Sequence, residues 1–116
     1  LDPAFAGNAR VEYDQMKAFE GADFVYAKNW SCPGVTRPED YGKILTDYHD
    51  MLHWTVSDRQ MAVTNNARFM HCLPVRRNMI VTDEVIESAN SLVIPEAANR
   101  VVSAQTVIKE ILLGLQ

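Results

Sequence analysis

The 116-residue sequence has little of what marks several classes of protein. Its two cysteines, Cys32 and Cys72, are too few for a disulfide framework, so a reduced, cytoplasmic setting is the expectation. No apolar run approaches the ~20 residues of a membrane span, and no signal peptide is visible. The 11 basic residues against 15 acidic ones give a net charge of −4, which argues against nonspecific nucleic-acid binding. We therefore expect neither a membrane nor a nucleic acid as a partner.

The composition is that of a folded globular domain, with 47% apolar and 22% charged residues. Four short runs have the alternation or the β-branched and aromatic content of strands, namely residues 9–13, 24–27, 68–71 and 91–94. Helical segments follow them, at 15–20, within 41–65, from 83 and from Pro95 onward. This β-α-β-α-β-α-β-α order predicts an α/β fold, a three-layer αβα arrangement with a parallel sheet that is part of a doubly wound domain.

The most informative stretch is residues 69–78, Phe-Met-His-Cys-Leu-Pro-Val-Arg-Arg-Asn. Its apolar beginning is typical of the end of a buried strand, and Pro74 removes a backbone donor, so the chain must leave the sheet there. The strand tip then presents His71 and Cys72, with two arginines just beyond. Because ligands in open α/β sheets bind outside the carboxyl ends of the strands, this tip suits an anionic or carbonyl-bearing small molecule.

Simpler interpretations of these residues exist. Cys72 could be a buried free cysteine that acts as a small hydrophobic residue. Arg76 and Arg77 could be solvated surface residues. His49 and His53 are four residues apart, as in a zinc-binding helix, but an aspartate stands where the catalytic glutamate of that pattern is found and no third ligand is evident. A metal site is therefore a distant alternative.

Two motifs resemble those of the aspartate/ornithine carbamoyltransferase family, and the resemblance covers essentially the whole chain. They are His-Cys-Leu-Pro at 71–74 and Glu-x-x-Asn-Arg at 96–100. The resemblance implies that Cys72, as the catalytic residue, and Leu73 lie between carbamoyl phosphate and the attacking amine, and that Arg100 binds carbamoyl phosphate. The alternative for Arg100 is an ion pair with the glutamate that opens the same run. The resemblance implies no metal or organic cofactor, and a homotrimeric full-length protein.

Lys28 indicates the substrate within that family. Ornithine-specific members carry an aspartate here, in a run that grips the free α-ammonium, and the run 28–34 keeps their tryptophan at Trp30 and their glycine at Gly34. A lysine would repel an ammonium and attract a carboxylate, which fits an ornithine whose α-amine is acylated. The likeness is to N-acylornithine carbamoyltransferases of the N-succinylornithine type, where an arginine placed like Arg76 binds the acyl end. The alternative is a surface lysine at a strand end.

Two motifs of the family's carbamoyl phosphate half, Ser-x-x-Thr-Arg and His-Pro-x-Gln, do not occur, and the sequence begins with leucine. We therefore expect residues 1–116 to be a fragment, the C-terminal ornithine- or acylornithine-binding domain without the carbamoyl phosphate domain, and inactive alone. The complete protein is expected to transfer the carbamoyl group of carbamoyl phosphate to the δ-amine of N-acyl-L-ornithine in arginine biosynthesis. Alternatives are a carbamoyltransferase for free L-ornithine and a non-catalytic amino-acid-binding or assembly fragment. The choice between acetyl and succinyl stays open.

Overall fold

A computed structural model describes Gly7 and residues 9–30 and 51–114 of the chain. The helices are α1 (Gln15–Phe19), α2 (Asp58–Met61), α3 (Asp83–Ile86) and α4 (Val93–Gly114), with a short 3-10 helix at Leu52–Trp54. The strands are β1 (Phe24–Tyr26) and β2 (Arg68–Met70). No described helix has both the length and the apolarity needed to cross a membrane.

Local sequence signals set the ends of the first two helices. The carboxylate of Asp14 accepts a hydrogen bond from the backbone N–H of Lys17 at 3.2 Å and so caps α1. Gly21 follows this helix with a φ of +68°, a backbone conformation that glycine adopts without steric cost. Ser57 and Gln60 form a reciprocal capping box at the start of α2.

The two strands pair in parallel, with Val25 opposite Phe69. These two side chains lie in the centre of the core, which also contains Val56, Ala67, Val81, Val85, Ile86 and Val93. Phe69 and Ala67 are completely buried. The parallel sheet with helices packed against it confirms the predicted α/β class.

Two predicted strands are wrong. Residues 9–13 have no regular structure. Residues 91–94 contribute only a single parallel bridge, between Ser91 and Phe69, because the chain turns into α4 immediately afterwards. The backbone N–H of Leu92 donates to the carbonyl of Phe69. The carbonyl of Leu92 already accepts a helical hydrogen bond, from the backbone N–H of Glu96. The helix thus begins two residues before the predicted start at Pro95. Within 41–65, residues 41–50 lie outside the described part. So do residues 31–41 of the long loop that Pro33, Gly34 and Pro38 predict at 29–41.

The sequence of helix α4 repeats apolar residues at helical spacing, but most of these residues lie on the surface of the described structure. Val93 is its only fully buried residue there. From Ala98 to the end of the helix every residue is exposed, and the side chains of Val101, Ile108 and Leu112 are 58–63% accessible to solvent. Only the first turn of α4 therefore packs against the sheet in the described structure, and the rest of the helix does not.

Candidate active site

The carboxyl ends of the two strands bring Lys28 and Cys72 together. Each residue lies two positions beyond its strand, and parallel strands end at the same edge of a sheet. The Lys28 ammonium lies 3.1 Å from the Cys72 sulfur and donates a hydrogen bond to it. This contact lowers the pKa of the Cys72 thiol. Lys28 is exposed and Cys72 is half-buried, so the pair sits at an accessible surface.

His71 points away from Cys72 into the interior, where its side chain is completely buried. Its Nδ1 accepts a hydrogen bond from the backbone N–H of Leu73 at 2.9 Å. Its Nε2 lies 3.1 Å from the amide oxygen of Asn29, and the amide nitrogen of Asn29 donates to the carbonyl of Pro74 at 3.1 Å. The Leu73–Pro74 peptide bond is cis, and Leu73 has a φ of +48°. Sequence reasoning recognised His71 in the motif but missed Asn29.

Glu96, in the first turn of α4, binds the ends of both strands. One carboxylate oxygen accepts from the Tyr26 hydroxyl at 2.8 Å, and the other accepts from the backbone N–H of His71 at 3.1 Å. The hydrogen bond to Glu96 raises the pKa of Tyr26 to about 12. Sequence reasoning considered Glu96 only as a possible partner of Arg100. Its position in a first helical turn, where the helix dipole favours a carboxylate, is the one signal that pointed to it.

Arg100 lies one helical turn beyond Glu96 and is exposed. It lines a cleft of about 400 Å³ together with Cys72, Leu73 and Glu96. In the part of the chain that the structure describes, no ion pair joins Arg100 to Glu96, whose two oxygens hold Tyr26 and His71 instead. The guanidinium therefore faces the same space as the strand-end turn and is placed to meet an anion.

The two arginines after the turn have different environments. Arg76 is exposed and donates a hydrogen bond to the carbonyl of Trp30 at 3.0 Å, which places it near the end of β1. Arg77 forms ion pairs with Asp83 and Glu87 and so ties the loop to α3. Arg77 is nearly half accessible to solvent, on the surface as expected, but its charge is paired within the chain.

The described residues give no support to the metal-site alternative. His49 and Asp50 lie outside the described part, as does Cys32. His53 is exposed, with its ring 5.7 Å from that of Trp54. Across Gly7 and the ranges 9–30 and 51–114, no group of three histidine, cysteine or acidic side chains is placed to hold a metal ion.

Comparison with known proteins decides the family. The model for the aspartate/ornithine carbamoyltransferase Asp/Orn-binding domain matches residues 4–111. The chain belongs to this family. It is 68% identical over 115 residues to N-succinylornithine carbamoyltransferase of Bacteroides fragilis, covering 99% of the chain and 34% of that protein. It is 44% identical over 97 residues to N-acetylornithine carbamoyltransferase of Xanthomonas campestris, covering 81% and 27% respectively.

Solved structures agree with this assignment and with the predicted αβα fold. A variant of N-acetyl-L-ornithine transcarbamylase, complexed with carbamyl phosphate and N-succinyl-L-norvaline, aligns with a TM-score of 0.66 and 42% identity. The alignment covers 84% of the chain and 29% of that protein. The chain thus spans about a third of the length of the relatives that it matches.

Proposed function

We propose that this chain is the acylornithine-binding domain of a carbamoyltransferase, and that the domain containing the main phosphate-binding motifs lies elsewhere in the complete protein. The enzyme transfers the carbamoyl group of carbamoyl phosphate to the δ-amine of N-acyl-L-ornithine, with an N-succinyl or N-acetyl group. The observation that carries the proposal is the Lys28 ammonium at the strand-end turn, 3.1 Å from Cys72.

The charge of Lys28 distinguishes between the possible substrates. Free ornithine brings an α-ammonium to this place, and a second ammonium there is repelled. An acylated α-nitrogen carries no charge, so the α-carboxylate dominates that end of the molecule and pairs with Lys28. Arg76, near the end of the same strand, is the residue we assign to the acyl group, where a guanidinium can bind carbonyl or carboxylate oxygens.

The other site residues act on the reacting end of the substrates. We assign Cys72 and Leu73 to the space between carbamoyl phosphate and the δ-amine, where backbone carbonyls hold the carbamoyl NH2 and orient the amine. Arg100 binds carbamoyl phosphate. The amine nitrogen bonds to the carbamoyl carbon, the carbon–oxygen bond to phosphate breaks, phosphate leaves and the amine loses a proton. Catalysis of this kind consists mainly of positioning and stabilisation of charge.

The relatives support the choice of an acylated substrate. Members named for N-succinylornithine and N-acetylornithine are 68% and 44% identical to this chain, whereas an ornithine carbamoyltransferase of Bordetella avium is 36% identical. The family resemblance also supports a role in arginine biosynthesis, a homotrimeric assembly and a cytoplasmic location for the complete protein, without a metal or organic cofactor.

The test is a carbamoyl-transfer assay on the full-length protein with L-ornithine, N-acetyl-L-ornithine and N-succinyl-L-ornithine. Turnover of an acylated substrate alone is the expected result, and it also names the acyl group. Lys28→Met should raise the KM for that substrate, while Lys17→Met, which removes an exposed lysine of α1, should not. Turnover of free ornithine alone would refute the substrate assignment, and absence of any transfer would favour a binding or assembly role.

A further inference from the structure

We infer that His71 is a positioning residue which, together with Asn29, fixes the Leu73–Pro74 turn so that the Leu73 carbonyl is left for the substrate. This inference rests on the proposed function, because it gives that carbonyl a ligand. It assigns a role to a buried histidine that does not itself touch the substrate.

The directions of three hydrogen bonds determine the protonation state of His71. The backbone N–H of Leu73 can only donate, so Nδ1 of the imidazole must be unprotonated. The single ring proton is then on Nε2 and is donated to the amide oxygen of Asn29. The amide nitrogen of Asn29 donates in turn to the Pro74 carbonyl, which fixes the orientation of that amide. We call these three hydrogen bonds, which join Leu73, His71, Asn29 and Pro74, the relay. The neutral tautomer with its proton on Nε2 satisfies all three, whereas an imidazolium would place two donors against each other at Nδ1.

The turn that this relay holds is costly for the backbone. Leu73 has a φ of +48°, in the left-handed region, which is unfavourable for a residue with a Cβ. Such a conformation persists where the surroundings determine it, often at a functional site. The relay binds the N–H of Leu73 and the carbonyl of Pro74 but not the carbonyl between them. Among the described residues none donates to the Leu73 carbonyl, so that acceptor remains for a ligand.

The charged and titratable groups around His71 are consistent with a neutral ring. Burial and the nearby Lys28 ammonium lower the pKa of the imidazole, and the Glu96 carboxylate opposes them with the smallest of the three effects. Cys72 follows His71 directly in the chain and contacts Lys28, and the hydroxyl of Tyr26 is bound to Glu96.

The first experiment reads the tautomer directly and does not depend on activity. In the full-length protein labelled with ¹⁵N-histidine, long-range ¹H–¹⁵N correlation spectra report which ring nitrogen carries the proton. We expect His71 to be the neutral Nε2–H form at neutral pH, with its signals assigned by their loss in His71→Gln. A proton on Nδ1, or a doubly protonated ring, would overturn the inference even if the proposed reaction were confirmed.

The second experiment separates the two ring nitrogens with amide substitutions. The amide oxygen of His71→Asn can take the place of Nδ1 and accept from Leu73, whereas the amide nitrogen of His71→Gln can take the place of Nε2 and leaves Leu73 without an acceptor. We expect kcat to fall by about 100-fold in His71→Gln and less than about tenfold in His71→Asn, as for a misplaced reactive group. The KM for acylornithine should change little, because Lys28 binds the other end of that substrate.

Two more variants complete the design. Asn29→Asp can accept from Nε2 but cannot donate to Pro74, and its kcat should fall by about tenfold or more. His53→Gln, the same substitution at an exposed histidine, should match the wild type. Equal kcat in the two His71 variants, or a loss confined to KM, would refute the positioning role. If the wild type transfers no carbamoyl group, the proposed function fails, while the spectra still decide the tautomer.

Discussion

Glu96 should stabilise the fold mainly through its hydrogen bond to a backbone N–H rather than through its bond to tyrosine. The carboxylate accepts from the N–H of His71, a residue whose accessible surface is zero, and from the hydroxyl of Tyr26, which is 52% accessible. Removing the carboxylate leaves the backbone donor buried without an acceptor, whereas water can replace it at the phenol. The two hydrogen bonds should therefore contribute unequally to the free energy of unfolding, although their lengths are similar.

The expected magnitudes follow from this difference. Glu96→Ala should lower the free energy of unfolding by about 2–3 kcal/mol, combining the loss of a bond to a charged group with an unsatisfied buried donor. Glu96→Gln keeps an oxygen for the His71 N–H and should cost only about 1 kcal/mol. Tyr26→Phe, the matched control on the other side, should cost clearly less than Glu96→Ala.

Urea denaturation of the three variants and of the wild type measures these differences, and amide exchange at His71 localises them. Exchange at His71 should accelerate in Glu96→Ala and stay slow in Tyr26→Phe. Ultraviolet titration provides a second readout, because the pKa of Tyr26 should fall from about 12 towards 10 when Glu96 is removed. If Glu96→Gln proved as destabilising as Glu96→Ala, or Tyr26→Phe matched both, the backbone argument would be wrong.

Three further predictions concern the charges of the site. Folding lowers the pKa of His71 from 6.5, so the unfolded chain binds a proton at this histidine more readily than the folded chain. The free energy of unfolding should therefore decrease as the pH falls below about 6.5. In His71→Asn the urea midpoint should lose this part of its pH dependence. Iodoacetamide should alkylate Cys72 more slowly at neutral pH in Lys28→Met than in the wild type, because the thiol pKa rises, and an unchanged rate would mean that the contact does not tune the thiol. Calorimetry of full-length Arg100→Ala should show carbamoyl phosphate binding weakened by about tenfold or more, with Lys109→Met as the control, and unchanged binding would exclude the role assigned to this arginine.

The sequence predicted well those features that short-range rules determine. The helices that begin at Gln15 and Asp83 and the strands around Val25 and Phe69 follow from residues a few positions apart. Lys28 and Cys72 were singled out separately, and the structure brings them within 3.1 Å because parallel strands end at a common edge.

The features that sequence reasoning missed depend on contacts between distant parts of the chain. Asn29 reaches His71 across 42 positions, and Glu96 reaches Tyr26 across 70, so neither bond has a local signature. The incorrect prediction of a strand at 91–94 also arose because the outcome depends on more than the local residues. Its β-branched residues favour a strand, but beyond Ser91 the chain satisfies its backbone groups within a helix.

The role proposed for Lys28 in substrate choice and the geometry of the Leu73–Pro74 turn depend on the same charge. Its charge favours a carboxylate ligand, lowers the pKa of Cys72 and helps to keep His71 neutral. An aspartate in its place would reverse all three effects at once. It would attract an ammonium, but it would also favour the imidazolium form of His71, whose second proton opposes the N–H of Leu73. If Lys28 selects the substrate as we propose, a charge reversal at this position should therefore act on the turn that His71 holds as well as on the specificity.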